Sequence, residues 1–517
     1  MMAEPTLGTA AGARPAPAAV TSALATLPPP ARTGFAKLMQ EAFVEFDVGA
    51  PPLDGPQLVA ELESALVTTW AWKSGAGDGA APLTARASAA AEAHQGVARA
   101  VAEAKTKLDA IPMAEFGALM SALDLYGTLK SKVGFQVPTN AGLKIYEIAA
   151  ECGLDDTSAR VFLNAELPGA FVAALVHRRA TGFAPPDLAS APLDWVASSF
   201  APELSAAPAT DAAGVNLLGD DYGIRASYRT RWLMGPPPNA LPGGAAALDG
   251  DVTRGTTVAA LAAGVRWAGR AAAPAAGHWA DGATLYTSDI GIDVASDFNR
   301  QEETTSALNL GQITVGLASL APGGALVTKQ YTFASRFSRE LIAVVATLFR
   351  RTRIVKPRTS RPANSEVYVV AEGFRGAPPG LIEALLAYGN AVRERQCAAS
   401  DGPPLITATR LARVDDALAR AACAIHGGQQ VAFLNEAARL AAKFGGDFGS
   451  LRRAVEWHAA RARTIWLAAC PVKPLPAGSG LAIRTDRGHR ADRGHHGHRG
   501  HHGHHSHRTD RGHRSSK

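Results

Sequence analysis

Cysteine and long apolar runs are both scarce in this chain of 517 residues. The cysteines are scattered and form no C-x-x-C pair, so they supply no zinc spacing, fit a reducing compartment and are expected to be buried free thiols. No run of about 18 uncharged apolar residues occurs, since Arg266 and Arg270 interrupt the Ala-rich stretch after residue 256. The sequence therefore predicts neither a transmembrane helix nor a membrane partner. The four cysteines are Cys152, Cys397, Cys423 and Cys470.

An excess of charge is missing from most of the chain, although the formal net charge is +6. After Pro474, nine Lys and Arg residues stand against three Asp residues, so this tail alone accounts for the whole excess. The isoelectric point of about 9.2 is therefore no sign that the body of the protein binds nucleic acid. Any such contact must come from a local basic patch.

Both ends of the chain lack the apolar periodicity of a folded segment. Residues 1–33 are rich in Ala and Pro and are predicted to be a disordered leader, without the basic and apolar regions of a secretory signal. Residues 476–517 repeat D-R-G-H and H-H-G-H and contain ten of the fifteen histidines. This tail is predicted to be disordered, able to associate weakly with RNA, but not to form a specific metal site, because nothing fixes ligand geometry.

Between the two ends, the pattern of apolar residues changes twice along the sequence. Residues 34–135 and 377–475 carry apolar residues at helical spacing and are predicted to be helical regions. In residues 136–376, strand-like segments such as "RVFLNA", "ATLYTSDI", "GALVTKQY" and "EVYVVAEGF" alternate with helical stretches. That alternation predicts an α/β domain with a mainly parallel sheet and helices on both faces. Pro322-Gly323-Gly324 is predicted to be a turn between a helix and the next strand.

Four charged residues lie where this architecture places a ligand site, at the carboxyl ends of the strands. Asp289 follows one predicted strand, Lys329 lies within the next, Glu366 opens the last, and Lys144 lies on the helix before the first. A lysine on a buried strand is costly unless its ammonium reaches an edge or meets a carboxylate. Taken singly, Lys329 could be a solvated edge residue and Lys144 a solvated helix residue. A Pro-Gly turn after "RVFLNA" could bring helix-terminal amides to a ligand.

The order Lys…Asp…Lys…Glu on these elements resembles the FtsJ (RrmJ-like) family. Members of that family are S-adenosylmethionine-dependent RNA ribose 2′-O-methyltransferases with a K-D-K-E active site. The segments "NAELPGAFVAAL", "TSDIGIDVASDFNRQEE", "GGALVTKQY" and "KPRTSRPANSEVYVVAEGFRG" are similar to motifs of the mRNA cap-specific branch. The resemblance covers residues 136–376 and implies a Rossmann-like methyltransferase sheet, mainly parallel with a terminal antiparallel strand, flanked by the N- and C-terminal helical regions.

The resemblance also implies a catalytic tetrad of Lys144, Asp289, Lys329 and Glu366. Lys329 would be the general base or the group that orients the ribose 2′-hydroxyl, and as a base its pKa must fall. Burial and Lys144 would lower that pKa, while Asp289 and Glu366 would raise it. Asp289 and Lys144 would steer the hydroxyl and the methyl group, and Glu366 would position a lysine. The four groups are expected to titrate as a coupled set.

For S-adenosylmethionine, the resemblance implies that the loop 164–171 holds the amino-acid end of the cofactor. An acid in "LDGDVTR" would contact the adenine, and an acid in "LLGDDYG", at position 220 or 221, the ribose. Asn164 and Leu167 depart from the usual family residues, which predicts at most weaker cofactor binding while the tetrad is intact. The implied cofactor-binding residues are Asn164, Glu166, Pro168, Gly169, Ala170, Phe171, Asp220, Asp251 and Asp289.

A basic cluster precedes Glu366, with six cations in twelve residues. In a neutral body this cluster suggests contacts with RNA phosphates, and the alternative is a solvated basic loop. Its members are Arg350, Arg351, Arg353, Lys356, Arg358 and Arg361. Three tryptophans are candidates for stacking on a cap guanine, although core positions are the common place for tryptophan. These are Trp195, Trp232 and Trp267.

The function predicted from the sequence is a cap-directed RNA 2′-O-methyltransferase. A structured-RNA 2′-O-methyltransferase, acting for example on ribosomal RNA, and a non-catalytic RNA-binding or assembly subunit are the alternatives. The expected partners are the capped 5′ end of mRNA and the capping or transcription machinery. The expected location is intracellular, in the cytoplasm or nucleus, or in the host cell or virion if the source is viral. The skewed composition and repetitive tail would suit a large DNA virus.

Overall fold

The fold is seen in a computed structural model. It describes residues 44–73, 89–154, 160–183, 192–202, 219–235, 249–272, 279–291, 300–395 and 397–483. The predicted leader, and the tail from residue 484 onward, lie outside the described residues. Within the described ranges, every helix is too short or too polar to cross a bilayer.

A seven-stranded mixed sheet forms the centre of the protein. Its strands are β1 Val44–Asp47, β2 Arg160–Asn164, β3 Asp194–Ala197, β4 Ala283–Ser288, β5 Leu320–Gln330, β6 Phe349–Lys356 and β7 Val367–Phe374. They lie in the order β1-β6-β7-β5-β4-β2-β3. Strands β3, β2, β4 and β5 are parallel neighbours, whereas β7 runs antiparallel to both β5 and β6. The predicted Rossmann-like sheet, mainly parallel with a terminal antiparallel strand, is confirmed.

Helices cover both faces of the sheet. They are α1 Gly55–Lys73, α2 Ala89–Thr106, α3 Met113–Ala122, α4 Leu125–Leu129, α5 Asn140–Cys152, α6 Ala170–Ala180, α7 Ile224–Ser227, α8 Gly255–Ala272, α9 Gln301–Thr304, α10 Ser306–Ser319, α11 Arg336–Leu348, α12 Leu381–Glu394, α13 Ala408–Ala422, α14 Val431–Phe444 and α15 Phe448–Ala469. Alternate strand residues point to opposite faces. Val161 and Leu163 belong to the apolar cluster that contains α5 and α6, while Phe162 belongs to the cluster on the opposite face, which contains α8, α10 and α11.

The helical flanks pack against one another as well as against the sheet. A third apolar cluster joins α2 and α3 to α14 and α15, with Leu119, Phe433, Leu440 and Leu451 fully or almost fully buried. The N-terminal and C-terminal helical regions therefore share a core, although about 300 residues separate them along the chain.

Strand β1 is a feature that the sequence did not predict, since it falls in a region expected to be helical. It pairs antiparallel with β6 at the sheet edge, with Val44 opposite Lys356 and Asp47 opposite Arg353. Four residues are too few for a period-two pattern to be distinguished from noise. The strand extends the sheet beyond the region covered by the family resemblance.

Two local predictions differ from the structure. Pro322-Gly323-Gly324 lies inside β5 rather than in a turn, and the pairing of β4 with β5 shifts register there, as in a β-bulge. The cysteines are all free, but Cys423 is exposed and Cys397 half-buried, and only Cys152 and Cys470 are buried.

Candidate active site

Helix α5 delivers Lys144 to the edge of the sheet. The side chain of Thr139 accepts a hydrogen bond from the amide of Gly142 at the start of the helix, and Gly153, at φ +71°, ends it in the left-handed region. Lys144 is buried one turn into the helix, and its Nζ lies 2.5 Å from Oε1 of Glu366. Glu366 immediately precedes β7, so a helix and a strand separated by more than 200 residues meet through this ion pair.

Strands β4 and β5 bring Asp289 and Lys329 together. Parallel neighbouring strands end at the same edge, and Asp289 directly follows β4. The Nζ of Lys329 lies 3.2 Å from Oδ1 of Asp289 and donates to its main-chain oxygen at 3.0 Å. Because β7 is antiparallel to β5, Tyr368 lies opposite Lys329, and the hydroxyl of Tyr368 donates to Oδ1 of Asp289 at 2.8 Å. Register therefore places the start of β7, with Glu366, at the same edge.

The charges of the site act strongly on one another. Burial alone would raise the pKa of Glu366, but Lys144, Lys329 and Lys356 outweigh it and lower that pKa to about 2. Burial would likewise lower the pKa of Lys329, yet Asp289, Tyr331 and Glu366 raise it above its ordinary value. The expectation that the pKa of Lys329 falls is therefore wrong for this arrangement, since its carboxylate partners outweigh the effect of burial.

Lys356 lies beneath the loop of residues 357–366, hereafter the Glu366 loop. It is 2 % exposed, and its ammonium donates to the main-chain oxygen of Glu366 at 2.7 Å and to Asn364 at both Oδ1 and the main-chain oxygen, at 2.8 and 2.9 Å. Burial lowers the pKa of Lys356 to about 7, against the pull of Glu366. The side chain ties the loop to β6 and cannot reach RNA phosphates, which corrects that prediction.

Arg358 anchors the other end of the Glu366 loop to α5. Its guanidinium lies 3.1 Å from Oε1 of Glu147 and 2.6 Å from Oε1 of Glu151. Glu147 is fully buried and also accepts from the main-chain and hydroxyl groups of Thr359 and from Nε1 of Trp466 on α15. Arg358 is thus held inside the protein by two carboxylates, and its predicted contact with RNA is also corrected.

The remaining members of the basic cluster are divided between two ends of the sheet. Arg353 is 1 % exposed and paired with Glu45 and Glu372. The prediction that Arg353 contacts RNA phosphates is therefore corrected as well. Arg350 and Arg351 are exposed at the amino end of β6, which is the edge opposite Glu366. Arg361 lies in the Glu366 loop, with a side chain 57 % exposed and 3.4 Å from Asp124. Of the six predicted cations, Arg361 alone combines exposure with a place beside the tetrad.

The side chains of the loop 164–171, which follows β2, form hydrogen bonds mainly with neighbouring groups of the protein. Asn164 is buried, accepts from the hydroxyl of Ser198 at 2.8 Å and donates to Ser288 at 3.2 Å, so it ties together the ends of three strands. Glu166 caps α6 by accepting from the amide of Val172 at 2.9 Å. Its own carboxyl therefore takes the helix-terminal amides that the sequence assigned to a ligand. Burial raises the pKa of Glu166 to about 8, against those amide hydrogen bonds.

Pro168, Gly169, Ala170 and Phe171 continue this loop into α6. Gly169 has φ +102°, and a Cβ there would come 2.4 Å from Cδ1 of Ile224. The loop therefore packs closely on α7, in a conformation that favours glycine. Ala170 and Phe171 are buried in the core between α5 and α6.

The predicted ribose and adenine contacts are also engaged within the protein. Both carboxylate oxygens of Asp220 accept main-chain amides at the start of α7, at 3.0 and 2.8 Å. Asp251 accepts from the amide and hydroxyl of Thr253 and pairs with Arg254 and Arg393, at 3.0 and 3.2 Å. These carboxylates hold their own segments in shape at the same sheet edge, so neither is a free acceptor.

One feature of the edge fits a bound methyl donor. Gly291 is exposed, and a Cβ there would come 2.7 Å from Nζ of Lys329, so the missing side chain keeps the approach to this amine open. An open approach suits a polar ligand that reacts beside Lys329.

Sequence reasoning missed the supports of the tetrad. Tyr368 bonds Asp289, the hydroxyl of Ser360 donates to Oε1 of Glu366 at 3.2 Å, and Lys356 holds the Glu366 loop. The signal was present in the motif "KPRTSRPANSEVYVV", where these polar residues surround Glu366. Trp195 and Trp232 are core residues, 2 % and 4 % exposed, and do not offer a face to a cap. The side chain of Trp267 lies outside the described part of the structure.

Comparison with known proteins agrees with this geometry. The model of the FtsJ-like methyltransferase family matches residues 137–374. A probable methyltransferase of African swine fever virus is 34% identical over 322 residues, covering 61% of this chain and 68% of that protein. The cap-specific mRNA (nucleoside-2′-O-)-methyltransferase 1 of Trypanosoma brucei brucei is 37% identical over 100 residues, which is 19% of this chain and 27% of that protein. The enzyme of the same name in Danio rerio is 39% identical over 88 residues, which is 17% of this chain and 11% of that protein. The predicted resemblance is confirmed, and the chain belongs to the FtsJ-like methyltransferase family.

Proposed function

We propose that the protein is an S-adenosylmethionine-dependent RNA ribose 2′-O-methyltransferase directed at the capped 5′ end of mRNA. The convergence of Lys144, Asp289, Lys329 and Glu366 from four separate elements carries this proposal. They form two close pairs, Lys144 with Glu366 at 2.5 Å and Lys329 with Asp289 at 3.2 Å, at one edge of the sheet. Buried or half-buried charge concentrated in this way is typical of a reaction site.

The chemistry required is the transfer of a methyl group to a hydroxyl that is a poor nucleophile. S-adenosylmethionine, when bound, supplies an electrophilic methyl on a sulfonium, whose positive charge disfavours further ammonium groups in the same site. Lys329 would take the hydroxyl proton in its neutral form or orient the hydroxyl in its charged form. Asp289, fixed by Tyr368, holds the amine of Lys329 in one direction. Alignment of two bound reactants contributes several kcal/mol by itself.

The second pair fixes the opposite wall of the site. Glu366 is held by Lys144 and Ser360, and its main-chain oxygen by Lys356. This network fixes the Lys144 ammonium, which is then available to steer the hydroxyl oxygen. A fixed arrangement costs no reorganisation during the reaction, which is the physical source of electrostatic catalysis.

The cofactor would lie along the loop 164–171 and the segments around residues 220 and 251. Since Glu166, Asp220 and Asp251 are engaged in the protein, we assign recognition of the cofactor to the main chain of this loop and to its shape. Asn164 keeps the three strand ends in register.

The assignment of capped RNA as the substrate is supported by the relatives named as cap-specific enzymes. Arg361, exposed beside the tetrad, is the cation placed to meet a phosphate near the reacting ribose. Capping or transcription machinery is the proposed partner class, and the site of action is intracellular, where capped RNA is made.

The test is transfer of a radiolabelled methyl group to short transcripts that differ only in the cap. Wild type, Lys329→Ala and a control, Lys443→Ala, which changes an exposed lysine on α14, are compared. We expect label on capped RNA alone, lost with Lys329→Ala and kept with Lys443→Ala. Equal label on capped and uncapped RNA would favour a structured-RNA enzyme. Cofactor binding without transfer to either RNA would favour a non-catalytic binding subunit.

A further inference from the structure

A stretch of π-helix interrupts the C-terminal helical region. Helix α13 passes into α14 through Cys423–Gln430, eight residues in the wider π-helical winding. Such segments are rare and are found often at functional sites. Here the winding turns His426 and Gln430 inward, where both are buried, and leaves Gln429 exposed.

Gln430 reaches the Glu366 loop directly. It is 2 % exposed, and its Nε2 donates to the main-chain oxygen of Ala363 at 2.9 Å and to the hydroxyl of Ser365 at 3.1 Å. Ser365 immediately precedes Glu366. The amide group of Gln430 therefore holds the last residues of the loop before the carboxylate that pairs with Lys144.

His426 fixes the orientation of Gln430. Its Nδ1 lies 2.9 Å from Oε1 of Gln430, and because an amide oxygen only accepts, Nδ1 carries the hydrogen. Burial and the nearby Lys356 lower the pKa of His426 to about 3, which keeps the ring neutral. His426 and Gln430 thus form a hydrogen-bonded pair that contacts the residues immediately before β7.

Apolar contacts hold the π-helical segment in place from both flanks. Ala363 of the Glu366 loop packs against the cluster that contains Phe433 and Leu434 of α14. On the other side, Val97 and Val101 of α2 form a separate small cluster with Ala422. The helical residues on either side of the segment are therefore packed, one against the N-terminal helical region and the other against the Glu366 loop.

We propose that Gln430, oriented by His426, is a positioning residue for the methyl transfer, acting through Ser365 and Ala363 on Glu366. This inference rests on the proposed function. The described side-chain contacts of Gln430 go to the Glu366 loop and to His426, not to the loop 164–171. Loss of the amide therefore leaves cofactor binding intact and slows the reaction.

The adjacent glutamines supply a matched pair of variants. Gln430→Leu removes the buried amide, whereas Gln429→Leu makes the same change at an exposed neighbour in the same segment. Gln430→Glu keeps the oxygen that faces His426 and removes the donor to Ala363 and Ser365. The measurements are kcat on the methylated RNA, the Kd of S-adenosylmethionine, and amide hydrogen exchange across residues 361–366.

We expect Gln430→Leu and Gln430→Glu to lower kcat about 10- to 100-fold, with the cofactor Kd changed less than threefold and with faster exchange in residues 361–366. Gln429→Leu should match wild type in all three measurements. Unchanged kcat with accelerated exchange, or a loss of kcat matched by an equal loss of cofactor affinity, would overturn the positioning role. If wild type transfers no methyl to any RNA, the proposed function fails. The exchange experiment then still reports whether Gln430 holds the loop, and unchanged exchange would overturn that part as well.

Discussion

Glu166 and Glu366 are buried glutamates at the same edge of the sheet, 4 % and 8 % exposed, in opposite electrostatic surroundings. Glu366 faces Lys144, Lys329 and Lys356, and its pKa falls to about 2 despite burial. Glu166 faces backbone amides of α6, and burial raises its pKa to about 8. Helix-terminal amides offset the cost of burying a carboxylate only in part, whereas three ammonium groups reverse it. Neutral contacts therefore hold the carboxyl of Glu166, whereas charge holds the carboxylate of Glu366.

Of the two glutamates, Glu366 is the one whose replacement should have the larger effect. Glu366→Gln keeps an oxygen for Lys144 but removes the charge, so we expect methyl transfer to fall about 100-fold and unfolding free energy to drop by about 2–3 kcal/mol at pH 7. Single-turnover rates and urea titrations measure the two effects. Glu394→Gln, at an exposed site on α12, is the control and should behave as wild type. A variant with full activity would remove Glu366 from the proposed mechanism.

The pH dependence of the stability of Glu366→Gln tests whether the pKa of Glu366 is lowered in the folded protein. The pKa of Glu366 is lower in the folded protein, so its ionisation stabilises the fold above about pH 4.5, and this contribution is lost as pH falls towards 2. The stability difference between wild type and Glu366→Gln should therefore shrink between pH 5 and pH 2, as followed by urea titrations. A difference that stays constant over that range would mean that Glu366 is not held ionised by its lysines.

The rate of methyl transfer should also depend on pH through Lys329. Asp289 and Glu366 keep this amine protonated at neutral pH, so a general base in this position is present only as a minor fraction. We expect the single-turnover rate at saturating cofactor and RNA to rise about tenfold per pH unit between pH 6 and 9. A flat profile would instead assign Lys329 the hydroxyl-orienting role. Cofactor affinity, measured over the same range, separates chemistry from binding.

Glu166→Gln should have the opposite effect on stability. Because the folded state raises the pKa of Glu166, wild type loses stability as pH rises from about 4.5 to 8, and a neutral glutamine avoids this loss. We expect the variant to be more stable than wild type by about 1–3 kcal/mol at pH 8 and equal to it near pH 4 in urea titrations. Methyl transfer should change only a few-fold. A destabilised variant at pH 8 would mean that the ionised carboxylate is itself the better cap for α6.

The smallest expected effect concerns the exposed cations at the two ends of the sheet. Arg361→Ala should weaken binding of capped RNA about threefold and reduce its salt dependence by about one counterion, because Arg361 lies beside the tetrad. Arg350→Ala, at the opposite edge, should change neither. Fluorescence anisotropy with labelled RNA between 50 and 200 mM salt measures both. Equal losses in the two variants would place the RNA on a different surface.

The four residues of the tetrad could be proposed from the sequence because their order resembles the FtsJ family motif, and parallel sheet topology explains why Asp289 and Lys329 meet. The burial of Arg353, Lys356 and Arg358 could not be predicted, since a run of basic residues near turn formers is typical of a solvated loop. Their partners lie far away in sequence: Glu45 is about 300 residues from Arg353, and Glu147 about 200 from Arg358. Strand β1 and the π-helical segment escaped prediction for a similar reason, as their form depends on distant packing rather than on local periodicity.

The carboxylate of Glu147 bears on where this chain can be cut. It is fully buried and accepts from the Glu366 loop at Arg358 and Thr359 and from the indole of Trp466, which lies beyond the region matched by the family. A fragment ending near residue 374 would leave Glu147 short of a donor and expose the apolar face of α5 that Trp466 covers. We expect such a fragment to aggregate or to fold only when residues 448–470 are supplied as a separate peptide. The smallest autonomous form of this enzyme would then be considerably longer than its family domain.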